Sequence, residues 1–309
     1  MCADRPAVAL SIAGTDPSGG AGSQADLKTF DARGVYGTTA LTALLAQNTH
    51  GVSRVYPVDE DFVADQLTSV LEDIPVEATK SGMLGSAGLV ELVAGHRRRA
   101  SLGFYTVDPV MVATSGHRLV PPEAVHKVRD QLLPVADLIT PNLPEAALLL
   151  GEDVAVAHTR AEMRSQAREL AHRGPGGVLL TGGHASPSPV IDLLATPDGQ
   201  VTEFAHERLA TANTHGTGCT LSAAVTAEIA VRKHAAATSL VDADTLTAAV
   251  SEALDYVARA LASAASWRLS HTPDGAHGPV DHLVDSRAES GRSDHEHTTH
   301  HAGEPADAR

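Results

Sequence analysis

The chain has 309 residues, enough for a full core, and a formal charge of −15 with histidines neutral, which argues against a polyanion-binding surface built from clustered Lys and Arg. Aromatic residues make up 3%, too few for the stacking platforms that hold single-stranded nucleic acid, and no stretch approaches the ~20 apolar residues of a membrane helix. Cys2 and Cys219 cannot build a disulfide framework, and the apolar run in "MCADRPAVALSIAG" is too short for a signal peptide, so a cytoplasmic protein is expected.

Short apolar or β-branched runs recur along the chain: "AVALSIA" from 7, "TTALTALLAQ" from 38, "EATKSG" from 77, "FYTVDPV" from 104, "ADLITPN" from 136 and "GVLLTGG" from 177. Helical patterns fall between them at 23–33, 60–72, 86–100, 121–133 and 160–173, the last with Met163, Ala167, Leu170 and Ala171 at helical spacing. Strand and helix in regular alternation predict an α/β fold, a mostly parallel sheet covered on both faces. The rhythm then changes. "SPVIDLLATPDGQVTEFAHERL" reads as two antiparallel strands around a Pro-Asp-Gly turn near the sheet edge, followed by long helices at about 217–234 and 242–268. Residues 286–309 contain no branched aliphatic and no aromatic residue, so a disordered polar tail is expected, with His295, His297, His300 and His301 at most a loose metal site.

Two glycine-rich segments carry the chemistry. "SIAGTDPSGGAGSQADLKTF" follows the first strand, but six residues from Gly14 lead to Gly20 where a P-loop requires lysine. Gly20, Gly22 and Ala25 satisfy G-x-G-x-x-[GA], yet the ribose-binding acid expected ~20 residues on is absent. Asp26 in the first turn of the next helix reads equally as helix-dipole decoration or as a ligand. In "NTHGTGCTLSAA", Gly216 and Gly218 leave backbone amides bare at a helix start, an anion site that needs no lysine. Asn142 and Glu145 in "ITPNLPEAALLL" follow a strand end, where a carboxylate serves either as a helix cap or as a Mg²⁺ ligand.

Taken together, "IAGTDPSGGAGSQADLKTF", "LLAQNTHGV", "KSGML", "DPVM", "LITPNLPEA", "TGGH" and "NTHGTGCTLSAA" resemble the hydroxymethylpyrimidine and phosphomethylpyrimidine kinases of thiamin biosynthesis, in the ribokinase-like superfamily. The resemblance runs from about residue 8 to "HGPVDH" at 277–282. It implies a three-layer α/β kinase domain over 1–285, usually dimeric, that uses ATP and Mg²⁺ to phosphorylate the pyrimidine's hydroxymethyl group and then the monophosphate. By position it implies that Gly14, Asp26 and Gln47 contact the aminopyrimidine, with Met83 and Val110 lining the pocket. Asn142, Glu145 and Thr181 fall on the nucleotide side. Glu145, and more weakly Asp108, fall on the metal side, and Gly216, Thr217, Gly218 and Cys219 form the anion hole. There is one departure: relatives commonly carry lysine before "GGH", where this chain has Thr181. Either Lys80 supplies the missing charge or turnover is slower.

Cys219 is then expected between the substrate hydroxyl and the transferring phosphoryl group, a general base whose pKa the helix-terminal amides lower below ~8.5. The rival is a thiol that merely packs while the amides do the work. Two alternative functions stay open, a pyridoxal kinase-like vitamin kinase and a catalytically silent pyrimidine sensor.

Overall fold

The computed structural model describes residues 5–99, 102–111, 120–183, 189–238 and 240–287. The expected tail, apart from its first two residues, lies outside the described residues, as do Cys2 and His184.

The alternating strands and helices form as the sequence predicts. They are β1 (Val8–Ala13), α1 (Gly22–Ala32), β2 (Tyr36–Leu41), β3 (Ala43–Asn48), β4 (Gly51–Pro57), α2 (Glu60–Asp73), β5 (Ala78–Ser81), α3 (Ala87–Arg98) and β6 (Phe104–Val107). After them come α4 (Pro122–Lys127), β7 (Leu138–Ile139), α5 (Leu143–Leu150), α6 (Arg160–Ala171), β8 (Val178–Leu180), β9 (Val190–Ala195), β10 (Val201–His206), α7 (Thr217–Ala236) and α8 (Ala243–Ala264). Eight strands make one sheet in the order β10-β9-β8-β7-β6-β5-β1-β2. Pairing is parallel from β2 through β8 and antiparallel at β8–β9 and β9–β10, so the Pro-Asp-Gly hairpin does lie at the sheet edge.

Side-chain alternation divides the core into two layers. On β1, Leu10 and Ile12 join Val63, Leu67, Val90 and Leu170 of the helices on one face, whereas Ala9, with Ala7 just before the strand, joins Phe30, Ile229, Val250 and Tyr256 on the other. On β8, Val178 and Leu180 face the first layer and Leu179 the second. A strand buried on both sides reads as a continuous apolar run, and these do.

Three local expectations differ from the structure. "TTALTALLAQ" is two strands: the chain turns at Thr42, whose hydroxyl donates to the Met83 carbonyl at 2.7 Å, and β3 leaves the main sheet to pair antiparallel with β4. The segment 121–133 is α-helical only through Lys127, then widens into a π turn at Val128–Leu132 and tightens into a 3-10 turn at Leu133–Val135. Pro134 has no N–H for a regular helix bond, which stops the α register there. Finally α5, "LPEAALLL", has no polar face to give it a helical period and is buried on both sides, so periodicity misses it.

Candidate active site

Parity along the strands decides what stands at the carboxyl end of the sheet. Ala9, Ala78 and Phe104 point toward α1 and α7, so Ser11 and Lys80, two residues further along their strands, and Asp108, just past the end of β6, point the same way. They form one buried polar cluster. Lys80 Nζ donates to Asp26 Oδ1 at 2.7 Å and lies 3.4 Å from Asp108 Oδ2; Ser11 Oγ donates to Asp26 Oδ2 at 2.6 Å, and Ser222 Oγ to Asp108 Oδ2 at 3.0 Å. Burial pulls the Lys80 pKa down, but Asp26, Cys219 and Asp108 outweigh it and hold the ammonium protonated above its ordinary value.

Two expectations change here. Asp26 has no exposed surface and spends its two oxygens on Ser11 and Lys80, so it holds the lysine rather than facing an aminopyrimidine. Lys80 is equally sealed and committed to two carboxylates, so it does not stand in for the lysine missing at Thr181.

The first glycine-rich loop packs directly on the second. Gly216 caps α7 in the left-handed region at φ 76°, and a Cβ there would stand 1.7 Å from the Gly20 carbonyl oxygen. Only glycine meets both conditions. No side chain caps α7; the Thr217 N–H is taken by the Thr214 carbonyl at 3.2 Å, and a Cβ on Gly218 would meet nothing within 4 Å. Thr217, between the two glycines, donates its hydroxyl to the Thr214 carbonyl at 2.7 Å and so fastens the turn.

Cys219 sits in that first turn, partly exposed, with the Gly22 N–H directed at its sulfur. Its pKa is not lowered. Withdrawal from water pushes the thiol up to about 12, and Asp108 and Asp26 add to the rise against the opposing effects of Lys80 and the Gly22 amide. The helix-terminal effect expected from the sequence is outweighed by desolvation.

Beside this centre, Gly14 lies against Ala43, Leu45 and Met83: a Cβ on Gly14 would stand 3.6 Å from the Met83 sulfur. Gln47 extends from β3 at a bulge, its amide 3.3 Å from His215 Nε2. Val110 lines a small cavity with Gly82, Leu84, Asp108 and Met111 at the end of β6. The structure thus brings Gly14, Gln47, Met83 and Val110 to the neighbourhood of Cys219, and adds Asp16, His215 and Ser222, which sequence reading missed. His215 was legible only as part of "NTHG", and Asp16 only as a loop acid.

Asn142 and Glu145 form a reciprocal capping box on α5: Asn142 Oδ1 accepts from the Glu145 N–H at 2.9 Å and Glu145 Oε2 from the Asn142 N–H at 3.0 Å. Capping does not exhaust Glu145. Burial, reinforced by the charge of Asp108, pushes its carboxyl up to about 8. Thr181 joins this corner through its N–H to the Pro141 carbonyl at 3.0 Å and a bridge to Asn142.

These groups fit a divalent cation. Two carboxylates, Glu145 and Asp108, repel one another in a buried corner where the Thr140 hydroxyl has no partner. Among the described residues no group of three or more His, Cys, Asp or Glu side chains is placed to hold a metal ion, so protein would supply at most a partial oxygen shell and water or phosphate the rest.

The chain is similar to known proteins over most of its length. Residues 16–281 match the family model described as phosphomethylpyrimidine kinase. The hydroxymethylpyrimidine/phosphomethylpyrimidine kinase of Escherichia coli (strain K12) is 47% identical over 275 residues, covering 89% of this chain and 97% of that protein. Among solved structures, phosphomethylpyrimidine kinase from Clostridium difficile 630 is 34% identical with a TM-score of 0.68, over 82% of this chain and 99% of that one. An ADP complex of Bacillus subtilis pyridoxal kinase is also 34% identical, with a TM-score of 0.77 over 91% and 98% of the two chains. The shared fold therefore does not separate pyrimidine from pyridoxal kinases, but the family match runs from Asp16 in the first glycine-rich loop to Asp281 beyond α8, and this chain belongs to the phosphomethylpyrimidine kinase family.

Proposed function

We propose that this chain transfers phosphoryl groups from ATP to 4-amino-5-hydroxymethyl-2-methylpyrimidine and then to its monophosphate, as part of thiamin biosynthesis. The observation that carries the reading is the contact of the two glycine-rich loops. With Gly216 against Gly20, Gly14 beside Met83 and Gln47 beside His215, a ring held by Gly14, Gln47 and Met83 would present its hydroxymethyl group to the start of α7.

In this reading Gly14, Gln47, Met83 and Val110 hold the ring. The amides of Gly218 and Cys219, at the turn that Gly216 and Thr217 shape, hold the transferring phosphoryl group, where donors aimed at developing charge act in a dry site. Lys80 fixes Asp26 and Asp108 beneath the turn. Asn142, Glu145 and Thr181 edge the nucleotide phosphates, and Glu145 with Asp108 would hold Mg²⁺. The cation's contribution when bound is to neutralise phosphate oxygens. With its thiol pushed up to about 12, Cys219 is protonated at neutral pH, and the amides carry the step.

The same reading includes a cytoplasmic homodimer. No helix of the described residues is long and apolar enough to cross a membrane. Leu44 and Tyr56, cross-strand partners on β3 and β4, are exposed together with Phe62, an apolar group suited to a second copy.

Mass spectrometry of the product after incubation with ATP, Mg²⁺ and the hydroxymethylpyrimidine tests the reading. Diphosphate is expected; monophosphate alone would remove the second step. No product, with pyridoxal phosphorylated instead, would replace the pyrimidine reading with the vitamin-kinase one.

A further inference from the structure

Beyond α8 the chain turns back, and two consecutive residues of this closing segment touch two parts of the candidate site. The His277 N–H donates to the Thr49 carbonyl at 2.8 Å, and the Gly278 carbonyl accepts from the His215 N–H at 3.0 Å. Thr49 lies in the turn between β3 and β4, just past Gln47, and His215 immediately precedes Gly216.

The hairpin depends on such ties. β3 and β4 pair with each other and not with the main sheet, and a two-stranded hairpin is at best marginally stable alone. At its base the Thr15 N–H donates to the Ala43 carbonyl at 2.9 Å and the Leu45 N–H to Thr15 Oγ1 at 3.0 Å. Its tip rests on the closing segment, where Thr49 accepts from His277 and His50 Nε2 lies 3.0 Å from Thr272 Oγ1 and 3.2 Å from Ser270 Oγ. Gln47 stands between these two attachments.

The segment itself is fixed in place. A Cβ on Gly278 would stand 2.0 Å from Asn213 Oδ1, and the Asn213 amide donates to the Ala264 and Trp267 carbonyls at 2.7 and 3.2 Å. Pro279 bridges to His215, whose imidazole meets Asp16 Oδ2 at 2.7 Å in the first glycine-rich loop. Further on, the Asp281 N–H donates to the Ala260 carbonyl at 3.1 Å and the Tyr256 hydroxyl to the His282 carbonyl at 2.7 Å, so α8 anchors the far end.

We propose that His277 and Gly278 are positioning residues: their two backbone bonds hold the Gln47 hairpin in register with the turn that opens α7, and pyrimidine binding depends on that hold. The inference rests on reading Gln47 as a ring contact.

Steady-state kinetics of the full chain tests it with His277→Pro, which removes the N–H, with His277→Ala, which keeps it, and with His50→Ala. His277→Pro should raise the pyrimidine KM by roughly 2- to 13-fold, the population weight of one hydrogen bond, while the ATP KM holds. A smaller folded fraction lowers kcat and leaves both KM values where they were, so this split is not a stability effect. The rise should be smaller in His277→Ala. An equal rise there overturns the proposal, because the side chain then acts in place of the backbone bond, and so does an equal rise in both KM values. If His277→Pro does not fold, His50→Ala decides at an exposed tip residue, with a higher pyrimidine KM expected. A pyrimidine KM equal to wild type in every variant that folds overturns the proposal. Gln47→Ala separates the two readings: an unchanged pyrimidine KM removes the ring contact and this inference with it, whereas a raised one beside unaffected closing-segment variants removes this inference alone.

Discussion

Lys80 on β5 and Asp26 on α1 are bonded at 2.7 Å with neither side chain reaching solvent, so the pair ties the middle of the sheet to the helix that follows the first glycine-rich loop. Breaking one partner of such a pair strands the other charge, which costs about 3–5 kcal/mol. Lys80→Met leaves both Asp26 and Asp108 unpaired and should lower the unfolding free energy by about that amount in urea. Lys80→Met with Asp26→Asn should recover part of the loss. A single variant as stable as wild type would show that water enters the cluster.

The thiol pushed up to about 12 gives a pH signature. Only the thiolate alkylates, and a group that high is almost wholly protonated at pH 7 to 9. Iodoacetamide labelling of Cys219, followed by peptide mapping so that Cys2 is scored apart, should be slow across this range and still rising at pH 10. By the same argument Cys219→Ala should lower kcat by less than about tenfold, with no change in pH profile between 6 and 9. A loss of about 10²–10⁴, the usual worth of a general base, would return the thiol to that role.

Much of this was legible in advance, and the misses share a cause. Alternation of strands and helices follows from short local patterns, so the parallel sheet, the edge hairpin and the two long closing helices were all readable. The resemblance gathered Gly14, Gln47, Met83, Asn142, Glu145 and Gly216 from separate segments. What it left out was what depends on three-dimensional surroundings. Asp26 looks like a ligand until Ser11 and Lys80 close on it, and Cys219 looks activated by its helix until burial is counted. Asp16 and His215 are 199 residues apart, and no local pattern announces their contact.

Glu145 separates capping from metal binding. Its carboxyl sits at about 8 in the folded chain against an ordinary 4.5, so the folded state holds the extra proton between these values. Stability without metal therefore falls as pH rises from about 4.5 toward 8. Glu145→Gln keeps a capping side chain and removes the charge. It should match wild type near pH 4.5, exceed it at pH 9 in thermal melts without Mg²⁺, and lose the stabilisation that Mg²⁺ with nucleotide gives wild type. Retained stabilisation by Mg²⁺ would remove Glu145 from the metal side.

Gly216 and Gly218 make opposite predictions although two residues apart in one turn. At Gly216 the backbone is left-handed, and a methyl group would overlap the Gly20 carbonyl at 1.7 Å, backbone against backbone, with no flexible side chain to yield. Gly216→Ala must therefore push the two loops apart, and should lower both melting temperature and activity. At Gly218 a methyl group meets no protein atom within 4 Å, and alanine in a helix is favoured over glycine by about 0.5–1 kcal/mol, so the melting temperature should hold or rise. In the proposed reading that open space is where the transferring phosphoryl group approaches the amides, and a donor kept even 1 Å from its acceptor loses most of its effect. Gly218→Ala should thus cut kcat/KM by about 10²-fold, close to the loss of one such donor, in a protein at least as stable as wild type. If Gly218→Ala kept full activity, phosphoryl transfer would have to occur away from the α7 terminus, and the assignment of that helix as the anion hole would fall.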